Sequence, residues 1–332
     1  MSTCEPLSQS SHPHESSISP QPTIEYGGLL VQSVQVWLPD DRQQQLYLQS
    51  AALTMPQPHL TNDHKPAPLT CGQGIAGRAW QQRCATLLQE EPSQLLSEYS
   101  QQFGTPVKAV LAIPVFRQQQ VCGVIVFGLN EGHGGAEIWC RDDRDELAVS
   151  AGHYAGLPAF EFISRHTRFP KGAGVPGRVW RTAQPLIASN LAADSDFVRS
   201  FGNDPATVTS VVGIPIDTDH GFARSVLLLL ISQQNPWCNA LTLLPCEIDG
   251  EGTVRLSDKD RQSIDTPAHI DNSVSAITDQ RSQFGALVRE VGQQQAPVLL
   301  SANQPAGVVL GMPVYVGAAL HSVLSFQFHR TM

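Results

Sequence analysis

The feature that most constrains this chain is a repeat of about 100 residues. Gly72-Gln-Gly-Ile-Ala-Gly-Arg-Ala-Trp80 returns as Gly172-Ala-Gly-Val-Pro-Gly-Arg-Val-Trp180. Ile113-Pro114-Val115 returns as Ile214-Pro215-Ile216, and Trp37-Leu-Pro-Asp-Asp-Arg42 as Trp139-Cys-Arg-Asp-Asp-Arg144. Collinear matches at nearly one shift mark a duplicated structural unit, which then dictates the architecture. A fainter third copy follows. Gly285-Ala-Leu-Val-Arg-Glu-Val291 stands in the place of the glycine motif, Pro297-Val-Leu in that of Pro185-Leu-Ile, and Met312-Pro313-Val314-Tyr315 repeats the Ile-Pro-Val step.

Each copy reads as strand, turn, strand, loop, helix, a second helix or loop, then three strands. In the first, Val31 to Leu38 and Leu46 to Ala51 flank the turn-forming Asp40-Asp41. A helix follows the glycines. Another is expected from Pro92 to Phe103, with Leu95, Leu96, Tyr99 and Phe103 on one face and Gly104 as its stop. The closing strands are Val121 to Phe127, Ser225 to Leu230 and Ser322 to Phe328; the last alternates apolar and polar residues, which predicts one solvated face. The expected class is α+β: three tandem units, each a roughly six-stranded antiparallel sheet flanked by helices. Their expected bounds are residues 26–131, 132–233 and 234–332, after a Ser/Pro/Gln-rich, disordered tail at 1–25.

Composition narrows the function. The net charge of −9, with single scattered arginines, argues against a nucleic-acid partner. No stretch approaches the ~20 apolar residues of a membrane span, and the longest aliphatic run, Val226 to Ile231, reads as a buried strand. The amino terminus has no apolar or basic signal region, and the seven cysteines contain no C-x-x-C pair; both point to reduced thiols in a cytoplasmic protein. No metal site is expected: His12 and His14 lie in the tail, and His59 and His64 in a proline-bounded loop.

Both Gly72-x-Gly74-x-x-Gly77 and Gly172-x-Gly174-x-x-Gly177 satisfy the dinucleotide fingerprint. That motif works only between a buried parallel strand and a helix. Here loop-like sequence precedes both copies, so Gly74, Gly77, Gly174 and Gly177 read as tight entry turns, and Arg78, Trp80, Arg178 and Trp180 as the start of a helix on the sheet. Pro114, Pro215 and Pro313 mark the strand step. The acidic run Asp142 to Glu146 occupies the hairpin turn equivalent to Asp40-Asp41 and reads as a turn rather than a catalytic cluster.

The run Phe169 to Ile187, with Asn190-Leu, Asp194, Phe197-Val-Arg199 and Gly213-Ile-Pro215, resembles the GAF domain family. Copy two carries all of that family's pattern. Copy one carries most of it, with Ala85-Thr-Leu-Leu in place of Gln-Pro-Leu-Ile. The resemblance implies a six-stranded antiparallel sheet and, where members bind ligands, a site between the sheet and the cover after the Trp helix. In copy two that places Phe162, Trp180, Phe197 and Phe201 as pocket walls and Arg199 as an anion anchor. The aromatics read first as core packing, and Asp194 with Arg199 equally as a structural pair that fixes the cover.

From the motif glycine to the step proline, the copies span 40, 41 and 28 residues (Gly74 to Pro114, Gly174 to Pro215, Gly285 to Pro313). The third is short where the cover should be and is expected not to enclose a ligand. The joints, Phe127 to Gly135 and Ser232 to Pro236, are too short for the flanking helices of signalling relatives, so the units should pack closely. No room is seen for a kinase, cyclase, phosphatase or DNA-binding output domain.

No hydrolase, metalloprotease or P-loop motif is present. Cys84, read on the Trp helix, and Cys122, in a closing hairpin, lack the flanking patterns of bilin-binding or sulfoxide-reducing relatives. Three readings follow. The first is a non-enzymatic sensory, signal-transducing protein that binds a small molecule, without its own output domain. The second is a scaffold whose units bind a protein partner or a second copy. The third is a thiol enzyme. No cofactor is identified.

Overall fold

The computed structural model describes residues 29–53, 66–89, 94–103, 107–189, 191, 208–219, 222–232, 237–250, 253–257, 261–265, 274–302 and 307–329. The expected tail at residues 1–25, Pro92, Gly104, His59 and His64 lie outside them.

The first sheet comes from β1 (Val31–Pro39), β2 (Gln45–Leu53), β3 (Leu69–Thr70), β4 (Thr86–Leu88), β5 (Ala109–Arg117) and β6 (Gln120–Leu129), with α1 (Gly74–Gln82) and α2 (Gln94–Phe103) between them. Its strand order is β3-β2-β1-β6-β5-β4. The second contains β7 (Gly134–Arg141), β8 (Leu147–Ala155), β9 (Leu186–Ser189), β10 (Val208–Asp219) and β11 (Phe222–Ser232), with α3 (Pro158–His166) and α4 (Gly174–Thr182). Its order, β8-β7-β11-β10-β9, repeats the first without an outer strand. The third contains β12 (Ala240–Ile248), β13 (Val254–Leu256), β14 (Gln262–Asp265), β15 (Val298–Ala302), β16 (Gly307–Val316) and β17 (Ala319–His329), with α5 (Val274–Gln294). Its order is β13-β12-β17-β16-β15, with β14 paired to β12. All pairings are antiparallel. The antiparallel sheets are as expected; among the described residues strand (54%) far exceeds helix (22%), so the fold is mostly β rather than clearly α+β.

The opening hairpins are set by aspartate. Asp40 Oδ1 accepts from the backbone N–H of Gln44 (2.6 Å) and Gln45 (3.1 Å). Asp142 Oδ1 accepts likewise from Arg144 (2.9 Å) and Glu146 (3.1 Å). Those bonds, foremost from Gln44 and Glu146, hold both carboxyls below the usual carboxylate range. The acidic run is therefore built into a turn.

Period-2 alternation sends successive residues of the central strands to opposite faces. On β5, Leu111, Ile113 and Val115 face one way and Val110 and Ala112 the other; all are buried. The first set joins Val212, Ile214 and Leu229 of the second sheet and Leu310, Leu324 and Phe326 of the third in one core. Phe127 centres it, its ring 5.7 Å from both Phe326 and Trp237. The Trp237 indole N–H donates to Gly135 O (3.2 Å) and Leu230 O (3.1 Å), pinning the joint between the second and third sheets. The opposite faces carry separate cores under α1 and α2, under α3 and α4, and under α5. Each sheet is thus covered on one side by its helices and on the other by its sister sheets.

This corrects the reading of Ser322 to Phe328. Its serines do not face solvent: Ser325 is buried on the side that α5 covers, with Val323, and Ser322 on the opposite side, with Leu324 and the shared core.

Candidate functional site

The glycine motifs build helix entries. Gly72 N–H donates to Gly77 O (2.9 Å), and Gly172 to Gly177 in the same way (2.9 Å). A Cβ on Gly77 would lie 2.6 Å from Thr70 O, and one on Gly177 2.4 Å from Pro170 O, so neither tolerates a side chain. The strand before α1, β3, is a two-residue antiparallel edge strand. A dinucleotide site would need a buried parallel strand there. Arg78 is exposed on α1. Trp80 and Trp180 are buried, the latter with Lys171 Nζ 5.6 Å from its ring centre. Arg178 Nε is buried without a partner among the described residues.

Of the residues expected to wall a pocket in the second unit, Trp180 packs into the core beneath α4. Phe162 is 66% exposed on α3 and lies against the His166 ring at 4.5 Å, on the surface. Phe197, Arg199, Phe201 and Asp194 lie outside the described residues. Gly213 lets α4 sit directly on the sheet: a Cβ there would meet Val179 at 2.6 Å.

The three step prolines converge. Pro114, Pro215 and Pro313 line one cavity of about 20 Å³, together with Phe116, Asp217 and Tyr315 from the equivalent position two residues on. Asp217, 4% exposed, stands where the sister copies carry aromatics. Its Oδ2 accepts from Arg83 Nε and its Oδ1 from Arg83 Nη2, each at 3.2 Å; Arg224 Nε lies 3.7 Å away. Arg83 also donates to Gln119 O (2.8 Å) and covers the Phe116 ring. Gln118 N–H donates to Gly317 O (3.0 Å), joining the first hairpin to the third. Sequence reasoning placed the prolines but missed this junction, which no local motif encodes.

The third unit leaves open space where none was expected, though not an enclosed pocket. Its β15–β16 connection spans only residues 303–306, yet a mostly apolar cavity of about 140 Å³ lies between α5 and the sheet. Phe284 and Leu287 form its buried floor; Leu300, Val309 and Gln327 are half-buried walls; Gln283, Ala286 and Ser301 stand at its exposed mouth. Near its carboxyl end α5 touches the sheet closely, since a Cβ on Gly311 would meet Val291 at 2.8 Å and Leu287 at 2.9 Å. One turn earlier, the small Ala286 leaves the space open. Ser325, two residues before Gln327 on the same strand face, is fully buried, and its hydroxyl has no partner among the described residues.

Cys71 is exposed, whereas several other thiols are shielded. Burial pushes Cys122, Cys238 and Cys246 up to about 12, and raises Cys84, with nearby Cys140 adding to the effect. Cys84 lies beyond the end of α1 rather than on it. Among the described residues, no three His, Cys, Asp or Glu side chains cluster as metal ligands would. No described helix is long and apolar enough to cross a membrane.

No family model and no curated protein matches the chain. Solved structures do. A nitrate-binding-site mutant of NreA from Staphylococcus aureus is 18% identical, with 30% of this chain and 74% of that chain covered and a TM-score of 0.25. The GAF domain of an Acinetobacter phosphoenolpyruvate-protein phosphotransferase is 20% identical over 30% of this chain and 55% of its own, with a TM-score of 0.22. The nlh2 GAF domain of A. Aeolicus is 15% identical over 31% and 59%, with a TM-score of 0.25.

Proposed function

We propose that the chain is a non-enzymatic regulatory protein: three GAF-like units, the third of which binds a small molecule and changes a surface that a partner protein reads. The cavity under α5 carries this reading. It combines an apolar floor with a few polar groups at walls and mouth, the usual make-up of a ligand site. The sequence resemblance of copy two to the GAF family supports it, as does the burial that keeps Cys122, Cys238 and Cys246 from the thiolate form a thiol enzyme requires. Native mass spectrometry of the freshly purified full chain tests the reading. A retained small molecule, released on denaturation, is expected; a chain at its sequence mass that takes up no added molecule would refute it.

A scaffold reading has one observation in its favour. The core shared by the three sheets makes them a single block, as a rigid platform for a protein partner or a second copy would be. Under that reading the cavity stays empty and partner binding is indifferent to small molecules.

A further inference from the structure

The cavity's size, charge and shape restrict what it can hold, given the binding role proposed above. About 140 Å³ is close to the ~150 Å³ apolar cavity that accepts benzene. It is well below the ~300–1,000 Å³ of pockets for drug-sized ligands. Nucleotides, tetrapyrroles and other multi-ring ligands exceed that volume.

Among the described residues no lining side chain is ionisable: they are Gln283, Phe284, Ala286, Leu287, Leu300, Ser301, Val309 and Gln327. A charged group buried there would lose its hydration and gain no counter-ion. A neutral ring loses little, because Phe284 offers an aromatic surface and Leu287, Leu300 and Val309 close around it. The Gln327 amide, on the wall, can both donate and accept a hydrogen bond. Arg261 lies outside the lining, its guanidinium carbon 5.9 Å from the Phe284 ring centre.

We infer that the α5 cavity is a site for one uncharged, single-ring molecule with a hydroxyl or amide at its edge, held flat between Phe284 and the aliphatic walls and oriented by Gln327. Selection follows from the chemistry. A phenol or benzamide keeps its polar edge bonded, toluene leaves Gln327 unanswered, and benzoate or benzylammonium must shed its hydration.

Calorimetric titration of the full chain with phenol, benzamide, toluene, benzoate and benzylammonium tests this. Phenol and benzamide should saturate a single site at least about tenfold more tightly than either ion, the discrimination expected for burying an unpaired charge. Val309→Phe, which fills the space, should abolish saturable binding while leaving the circular dichroism spectrum unchanged; Leu300→Phe, from the neighbouring strand of the same sheet face, does the same if the first variant fails to fold. Gln327→Met should remove the preference for phenol over toluene. Equal or tighter binding of benzoate, or phenol binding that persists in both filled variants, overturns the inference. A natural ligand retained in native mass spectra but unaffected by the filled variants would overturn this site while leaving the small-molecule reading intact. Loss of a multi-ring or charged natural ligand in those variants would keep the site and overturn the ligand class.

Discussion

Asp217 is the residue on which the junction turns. It sits in left-handed backbone (φ 47°), a conformation that Asp and Asn tolerate better than most side chains, in a place filled by Phe116 and Tyr315 in the sister copies. Its carboxylate is 4% exposed, whereas its partners Arg83 and Arg224 are 38% and 60% exposed. The ion pair is therefore lopsided. Asp217→Asn fits the backbone and leaves the arginines free to turn to water, so it should cost about 1.5–3 kcal/mol, the net worth of hydrogen bonds to a charged group. Arg83→Leu strands a buried carboxylate with only the more distant Arg224 and should cost more, about 3–5 kcal/mol. Urea unfolding of both variants checks the order. Equal losses would mean that the carboxylate reaches water by another route. None of this was legible locally: the sequence shows Asp217 only as a polar residue near a hairpin end, and its partner lies 134 positions away.

At the scale of elements, the helix entries of the first two units were legible because glycine has few reasons to recur at one spacing. The third unit was harder. Its helix ends on Gln295 in left-handed backbone, as α1 ends on Arg83 and α4 on Ala183. Aligning those ends sets Ala286, not Gly285, opposite Gly74 and Gly174. Gly285 thus has no turn to make; it lies inside α5, and a Cβ on it would meet nothing within 4 Å. Gly285→Ala should raise stability by about 0.5–1 kcal/mol, the helix-interior cost of glycine. Gly77→Ala and Gly177→Ala should each lower it by about 1–3 kcal/mol, because the new methyl group meets backbone oxygen at 2.6 Å or less and the turn must shift. Thermal midpoints of the three single variants settle the alignment: a loss on Gly285→Ala would restore Gly285 to the motif.

The whole molecule follows from burying both faces of every sheet. Part of this was visible in advance. Runs such as Val121 to Phe127 and Val226 to Ile231 are apolar without alternation, the pattern of a strand covered on two sides. What covers the second side was not visible, because Leu111, Leu229 and Phe326 carry no mark of being neighbours across separate repeats. Ser322 to Phe328 misled for a related reason: small hydroxyl side chains buried beneath a helix, as Ser325 is, or beside a sister sheet, as Ser322 is, resemble a solvated face. The shared core makes a thermodynamic claim. If each unit owned its core, the chain would unfold in steps, and Phe326→Ala would unsettle the third unit alone. With Phe127, Phe326 and Trp237 packed together, the loss of about 3–5 kcal/mol expected for a buried Phe→Ala change should shift one common transition. Tryptophan fluorescence offers separate reporters, since Trp37 and Trp80 lie in the first unit and Trp139 and Trp180 in the second. Chains retaining only one of those pairs should show coincident midpoints, and Phe326→Ala should lower both together. A midpoint for the first unit that ignores Phe326→Ala would show that it stands alone. Residues 29–131 produced separately should then fold, although Leu111, Ile113 and Phe127 would lie open to water. The structure predicts instead that this fragment aggregates or stays unfolded, because an apolar face of that extent persists only when covered.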